Sequence, residues 1–159
     1  MIDAIDIEIL SILQKNSRTT QADIAKAVEL APSAVLERVR KLEAKGAIRD
    51  YVTVIDPKVV DRGLLAFVAV RTSDHGPDMS PGRALADIPE VLEVHHVAGD
   101  DCYLLKVRAR DAEHLGQLLR ERISTVAAVT STRTTIVLET VKESARIPIG
   151  IREPVTGAR

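Results

Sequence analysis

The chain has 159 residues, enough for one domain of ordinary size or two small ones. Its 22 basic and 23 acidic side chains leave a formal net charge of -1, which excludes a polyanion-coated surface and makes any phosphate recognition a matter of local charge. The lone Cys102 excludes an internal disulfide framework and a cysteine-rich zinc site, and an aromatic content of 2% without Trp disfavours nucleic-acid binding by base stacking. Apolar runs such as Leu64 to Val70 fall far below the roughly 18 residues of a membrane helix. Met1-Ile2-Asp3 does not open a basic, then apolar, signal peptide, so a cytoplasmic location without a membrane partner is expected.

Ile5, Ile9, Ile12 and Leu13 recur at helical spacing behind Asp3, a good N-cap, and predict a helix over about 4–15. Asn16 to Thr20 breaks it. Thr20 with Asp23 has the spacing of a capping box, and a second helix follows over about 21–28. After Glu29, Leu30 and Ala31, Pro32 opens a third helix, which carries Val35, Val39 and Leu42 inward and ends at Lys45 with Gly46 in the C′ position. Two helices joined by a short turn and preceded by a third have the outline of a helix-turn-helix, though small three-helix bundles share it. Arg38, Arg40, Lys41 and Lys45 gather positive charge on the third helix, whereas Asp3, Asp6 and Glu8 lie on the first. The β-branched segment 47–55 reads as strand structure, closed by Asp56-Pro57.

Beyond residue 64 the pattern changes. Strand 65–73, a loop through His75-Gly76-Pro77, helix 81–88, strand 91–98, a turn at Gly99-Asp100-Asp101, strand 102–109, helix 112–124 and strand 129–141 follow in order. This is βαββαβ, the ferredoxin-like unit, so the fold class is α+β. In the strand from Leu65 to Val70 both faces are apolar; helices cover one, and a second copy of the chain is the nearest cover for the other. The expected organisation is a helix-turn-helix over 1–50, a strand-containing linker over 51–64, the βαββαβ domain over 65–142 and a tail over 143–159.

These segments together resemble the Lrp/AsnC, or feast/famine, family of transcription regulators. The resemblance rests on residues 3–10, Ile24-Ala25-Lys26-Ala27-Val28, residues 35–46, Gly99-Asp100-Asp101-Cys102-Tyr103-Leu104-Leu105 and residues 129–138. It implies a winged helix-turn-helix, an RAM/AsnC-type domain that dimerises and senses amino acids, and assembly of dimers into a tetramer or octamer. Two positions depart from the family pattern. Ala31 stands where Ser usually caps the recognition helix, at a cost of ~1 kcal/mol, and Cys102 stands where the effector loop often has Asp. A thiol does not pair with an ammonium group as a carboxylate does, so an amino acid here must use Asp100 or Asp101.

The expected DNA-facing residues are Arg18, Gln21, Ser33, Ala34, Glu37, Arg38, Arg40, Lys41 and Lys45. Either Arg38 or Arg40 is placed to fork onto guanine, with Arg38 preferred over its alternative as an internal salt-bridge partner, while Lys41, Lys45 and Arg18 suit phosphate. Glu37 and Lys41, at i and i+4, equally form a surface ion pair. A dimer presenting two such helices reads a pseudo-palindromic operator in duplex DNA. The expected effector residues are Val97, Gly99, Asp100, Asp101, Cys102, Tyr103 and Thr134, with Tyr103 and Thr134 on neighbouring central strands; a plain hairpin turn is the alternative. No cofactor is implied beyond an amino-acid effector. A metal site at His95 and His96 is disfavoured because adjacent strand residues face opposite ways, and no catalytic motif supports an enzyme. A DNA-organising oligomer without a ligand is the rival reading.

Overall fold

The computed structural model describes residues 2–73 and 79–149. The predicted loop at His75-Gly76-Pro77 and the tail from Gly150 onward lie outside them. The chain divides into two compact units, one of residues 1–53 with 143–159 and the other of residues 54–142.

In the first unit, α1 (Ala4–Lys15) starts with a reciprocal capping box. The Asp6 N–H donates to Asp3 Oδ1 at 2.9 Å, and the Asp3 N–H donates to Asp6 Oδ2 at 3.2 Å. α2 (Gln21–Ala27) is capped by Thr20, whose hydroxyl accepts from the Asp23 N–H. α3 (Pro32–Ala44) has Pro at its first position and no side-chain cap at Ala31, so its first turn relies on proline's fixed φ alone. Ile9, Ile24, Ala25, Val28, Val35, Val39 and Leu42 form the core where the three helices meet.

The two helix ends that bound α3 are built alike. After α2, the Leu30 N–H reaches the Ala25 carbonyl while Glu29 sits at φ +54. After α3, the Ala47 N–H reaches the Leu42 carbonyl, the Gly46 N–H reaches Glu43, and Gly46 sits at φ +68. Both are Schellman closures with a left-handed C′ residue. Glycine adopts that conformation freely; glutamate does not.

Residues 143–149 return to this unit. Gln14 donates Nε2–H to the Ile147 carbonyl at 2.7 Å and accepts the Ile147 N–H on Oε1 at 2.9 Å. Arg146 donates to the Lys15 carbonyl at the end of α1.

The expected strand over 47–55 does not form. Residues 47–56 have no strand assignment, and Val52, Val54 and Ile55 are exposed. β-Branched residues favour a pleated, half-buried surface, but a strand also needs a partner backbone, and none of the described residues supplies one here. Asp56 instead caps a short 3₁₀ turn, Pro57–Val60.

The second unit is β1 (Leu64–Thr72), α4 (Ser80–Ala86), β2 (Val91–His96), β3 (Tyr103–Ala109), α5 (Ala112–Leu118) and β4 (Val129–Ile136). Asp111 caps α5, and the helix continues through a π turn at Leu119–Ile123. The antiparallel sheet has the order β2-β3-β1-β4, the ferredoxin-like arrangement. Ala66, Val68 and Val70 of β1 join Leu105, Val107 and Ala109 of β3, Leu85 of α4 and Leu115 and Leu118 of α5 in one core. Leu65, Phe67 and Ala69 point to the opposite face by strand alternation.

β1 lies between β3 and β4, so the expectation that Tyr103 and Thr134 stand on neighbouring strands is corrected. Tyr103 opposes Val70, whereas Thr134 opposes Val68 from the edge strand. The βαββαβ order always places the first strand between the third and the fourth when both crossovers cover one face.

Two substitutions test this packing. Glu29→Gly relieves the left-handed strain and is expected to raise stability by about 0.5–1 kcal/mol in denaturant unfolding. A Cβ on Gly82 would lie 2.7 Å from the buried Tyr103 ring, so Gly82→Ala is expected to destabilise by about 1–3 kcal/mol. Thermal unfolding unchanged by Gly82→Ala would show that the ring can move aside.

Candidate nucleic-acid interface and effector turn

At 100° per residue, Val35, Val39 and Leu42 mark the buried side of α3. Ser33, Glu37, Arg40 and Lys41 fall on the side opposite and are exposed. Ala34, Arg38 and Lys45 lie on the flank. There, together with Asp3 and Asp6 of α1, they line a cleft of about 350 Å³.

Arg38 is held in that flank. Its Nη1 lies 2.7 Å from Asp3 Oδ2 and 2.7 Å from Asp6 Oδ1. Asp6 is 12% exposed at the side chain, so its contact with Arg38 is sheltered from solvent more than an ordinary surface pair. The bond from the Asp6 backbone N–H, and then the Arg38 guanidinium, hold the Asp3 carboxyl below its usual range. The two carboxylates in turn raise Arg38. The internal salt bridge, the alternative weighed against a base contact for Arg38, is therefore the arrangement present.

Glu37 and Lys41 are also paired, at 2.6 Å, and Lys41 lowers the Glu37 carboxyl. Both are exposed, and such an i, i+4 surface pair is weak and screened by solvent, so phosphate can displace it. Glu43 accepts the Tyr51 hydroxyl at 2.9 Å; partial burial of the phenol and this bond push Tyr51 up to about 12. Among the described residues, the side chains of Arg40 and Lys45 make no hydrogen bond or ion pair. Arg18 is exposed in the turn after α1, where its N–H donates to Asn16 Oδ1, and Gln21 is exposed at the start of α2. Arg40, Lys45 and Arg18 therefore carry the uncompensated positive charge of the helical unit's expected DNA face.

The other predicted site is the turn between β2 and β3. The Val97 N–H donates to the Cys102 carbonyl at 3.0 Å, the Cys102 N–H donates to the Val70 carbonyl at 2.9 Å, and Gly99 takes φ +121. Nothing within 4 Å would meet a Cβ at Gly99, so this side of the turn is open. Asp101 is paired with Arg133 of β4 at 2.6 Å, and Arg71 of β1 donates Nε–H to the Asp100 carbonyl at 3.1 Å. The Asp100 carboxylate has no partner among the described residues. Cys102 and Tyr103 are buried in the core, and Thr134 is half-buried one strand further away. Of the seven predicted effector residues, Val97, Gly99, Asp100 and Asp101 come together, while Cys102, Tyr103 and Thr134 face elsewhere.

Sequence reading missed Asp3 and Asp6 as partners of Arg38, and Arg71 and Arg133 beside the turn. The histidines separate as strand geometry requires. His95 bonds to Glu93 at 3.2 Å, whereas the His96 ring centroid lies 5.3 Å from that of Tyr103. Glu93 is lowered by His95 and Lys106. Among the described residues no group of three or more His, Cys, Asp or Glu side chains is placed to hold a metal, and no helix is long and apolar enough to cross a membrane.

Residues 2–49 match the family of winged helix-turn-helix DNA-binding domains, and residues 65–147 match the Lrp/AsnC ligand binding domain. The chain belongs to the Lrp/AsnC family. It is 39% identical to the leucine-responsive regulatory protein of Escherichia coli strain K12 over 153 residues, 95% of this chain and 93% of that protein. Among solved structures it is similar to a feast or famine regulatory protein from M. tuberculosis complexed with L-methionine. That match has 39% identity and a TM-score of 0.86, covering 94% of this chain and 100% of that one. AsnC of E. coli matches at 28% identity and a TM-score of 0.84, covering 93% and 99%. The chain is thus a DNA-binding transcription regulator of α+β fold, and not an enzyme.

The ion pairs of α3 make a pH test. Because Asp3 is lowered in the folded chain, its contribution to stability is present above its unfolded value near 3.8 and is lost as pH falls through the folded value. Asp3→Asn keeps a good N-cap but no charge. It should flatten the acid limb of a stability-against-pH curve, and Arg38→Met should move the Asp3 carboxyl titration upward in NMR. An unmoved titration would show that the Arg38 contact is not made in solution.

Proposed function

We propose that α3 enters the major groove of duplex DNA with Arg40 toward the base edges and Lys45, Lys41 and Arg18 toward phosphate. Ser33 and Ala34 allow close approach at the helix start, with Gln21 and Glu37 at the margin. The observation that carries this reading is the exposure of Arg40, without a partner among the described residues, on the face opposite the buried stripe. Arg38 acts through Asp3 and Asp6 as a positioning residue that fixes α3 against α1. Two copies of the chain, joined through the sheet face of Leu65, Phe67 and Ala69, present two recognition helices to a pseudo-palindromic operator. Dimers then assemble further, into a tetramer or octamer, and the protein works in the cytoplasm.

The effector is an amino acid held at the Gly99-Asp100-Asp101 turn. Support comes from the open turn, whose Asp100 carboxylate is unpaired among the described residues, and from two relatives whose structures contain L-methionine, one from Neisseria meningitidis and one from M. tuberculosis. A ligand of this kind regulates only if it binds two assembly states with different affinity. The pairing of Asp101 with Arg133 and the burial of Cys102 favour a second reading, in which the protein organises DNA without a ligand.

Selection from random duplex DNA, with and without a mixture of amino acids, tests these assignments. Wild type should enrich a two-fold-symmetric site. Arg40→Ala should lose discrimination at one position per half-site by about 1–3 kcal/mol, roughly 5- to 150-fold. Arg38→Ala should weaken all sites together with thermal stability. Enrichment unchanged by Arg40→Ala would remove it from base recognition.

A further inference from the structure

An α-amino acid carries its two charges on groups attached to one carbon, so a site for the free zwitterion needs an acceptor and a donor side by side. The turn between β2 and β3 has both. Asp100 offers an exposed carboxylate without a partner among the described residues. Arg71 reaches the backbone of the same residue, its Nε–H donating to the Asp100 carbonyl at 3.1 Å. Its Nη groups make no other bond among the described residues.

The neighbouring pair is not equivalent. Asp101 and Arg133 neutralise each other at 2.6 Å, so neither is available to a ligand without breaking that contact. Register brings the two arginines together. Ala69 opposes Arg133 and Arg71 opposes Ser131, so Arg71 and Arg133 are diagonal neighbours on one face of adjacent strands. Arg133 holds one aspartate of the turn, and the carboxylate of the other has no partner among the described residues.

We infer that Arg71 is a ligand-binding residue, its Nη edge receiving the α-carboxylate of an amino acid whose ammonium group is received by Asp100. This rests on the reading of the turn as the effector site and assigns the side chains that replace the family's usual Asp at Cys102. An arginine edge and a carboxylate are charge-assisted partners that select both ends of the zwitterion. Specificity for the amino acid's side chain then lies outside these two residues.

The experiment uses the full chain and each of the twenty amino acids in turn, first by thermal shift and then by calorimetry for those that bind. The methyl ester and the N-acetyl derivative of the same amino acid are titrated alongside. Wild type should prefer the free acid over the methyl ester by roughly 10- to 100-fold, the range of a lost hydrogen-bonded charge contact. Arg71→Met should abolish that preference and Arg71→Lys should keep part of it. Asp100→Asn should abolish discrimination against the N-acetyl derivative. If Arg71 only pins the turn to β1, Arg71→Met lowers the melting temperature of the unliganded protein yet retains the acid-over-ester preference, and the assignment falls while amino-acid sensing stands. If none of the twenty shifts the melting of wild type, sensing at this turn falls and the assignment falls with it.

Discussion

Arg38 is the point on which the helical unit turns. Its guanidinium joins the two carboxylates that also form the capping box of α1, so one cation ties the start of the first helix to the middle of the third. A capping box alone would fix α1 but say nothing of α3; an arginine on α3 alone would be a mobile surface charge. Together they set the flank of α3 that faces α1, and hence the side left for a partner. Positive charge on α3 and the turn after α1 is therefore less available than the count of basic residues implies, and is concentrated on Arg40, Lys45 and Arg18.

The same logic of pairing operates at the turn between β2 and β3. Arg133 neutralises Asp101, Arg71 holds the Asp100 backbone, and the Asp100 carboxylate is left over. In both places a neighbouring ion pair decides which charged group is available.

Much of the fold was legible because it rests on local rules. Asp3, Thr20 and Pro32 mark helix starts, Gly46 marks a helix end, and the alternation of strands with helices after residue 64 gives the βαββαβ order. The segment 47–55 was misread because its residues have the side chains of a strand without a neighbouring backbone. The partners of Arg38 lie 32 and 35 residues away, and Arg71 meets Asp100 across 29, so no local pattern reports them. The placement of Tyr103 and Thr134 was missed for a related reason, since β1 separates strands that close the sequence pattern. Only sheet register supplies such information.

The clasp of Gln14 on Ile147 makes the helical unit discontinuous in sequence, with the whole βαββαβ unit inserted between its parts. A chain made from its N-terminus exposes Gln14 long before Ile147 exists. The three helices can form their core early, while the clasp spans 133 residues and needs Ile147 to have been made. Loop entropy grows only with the logarithm of length, so this separation is a matter of timing more than of free energy. The core of the three helices is thus available before the end of α1 has its Ile147 partner, and the arrival of that segment is what covers it.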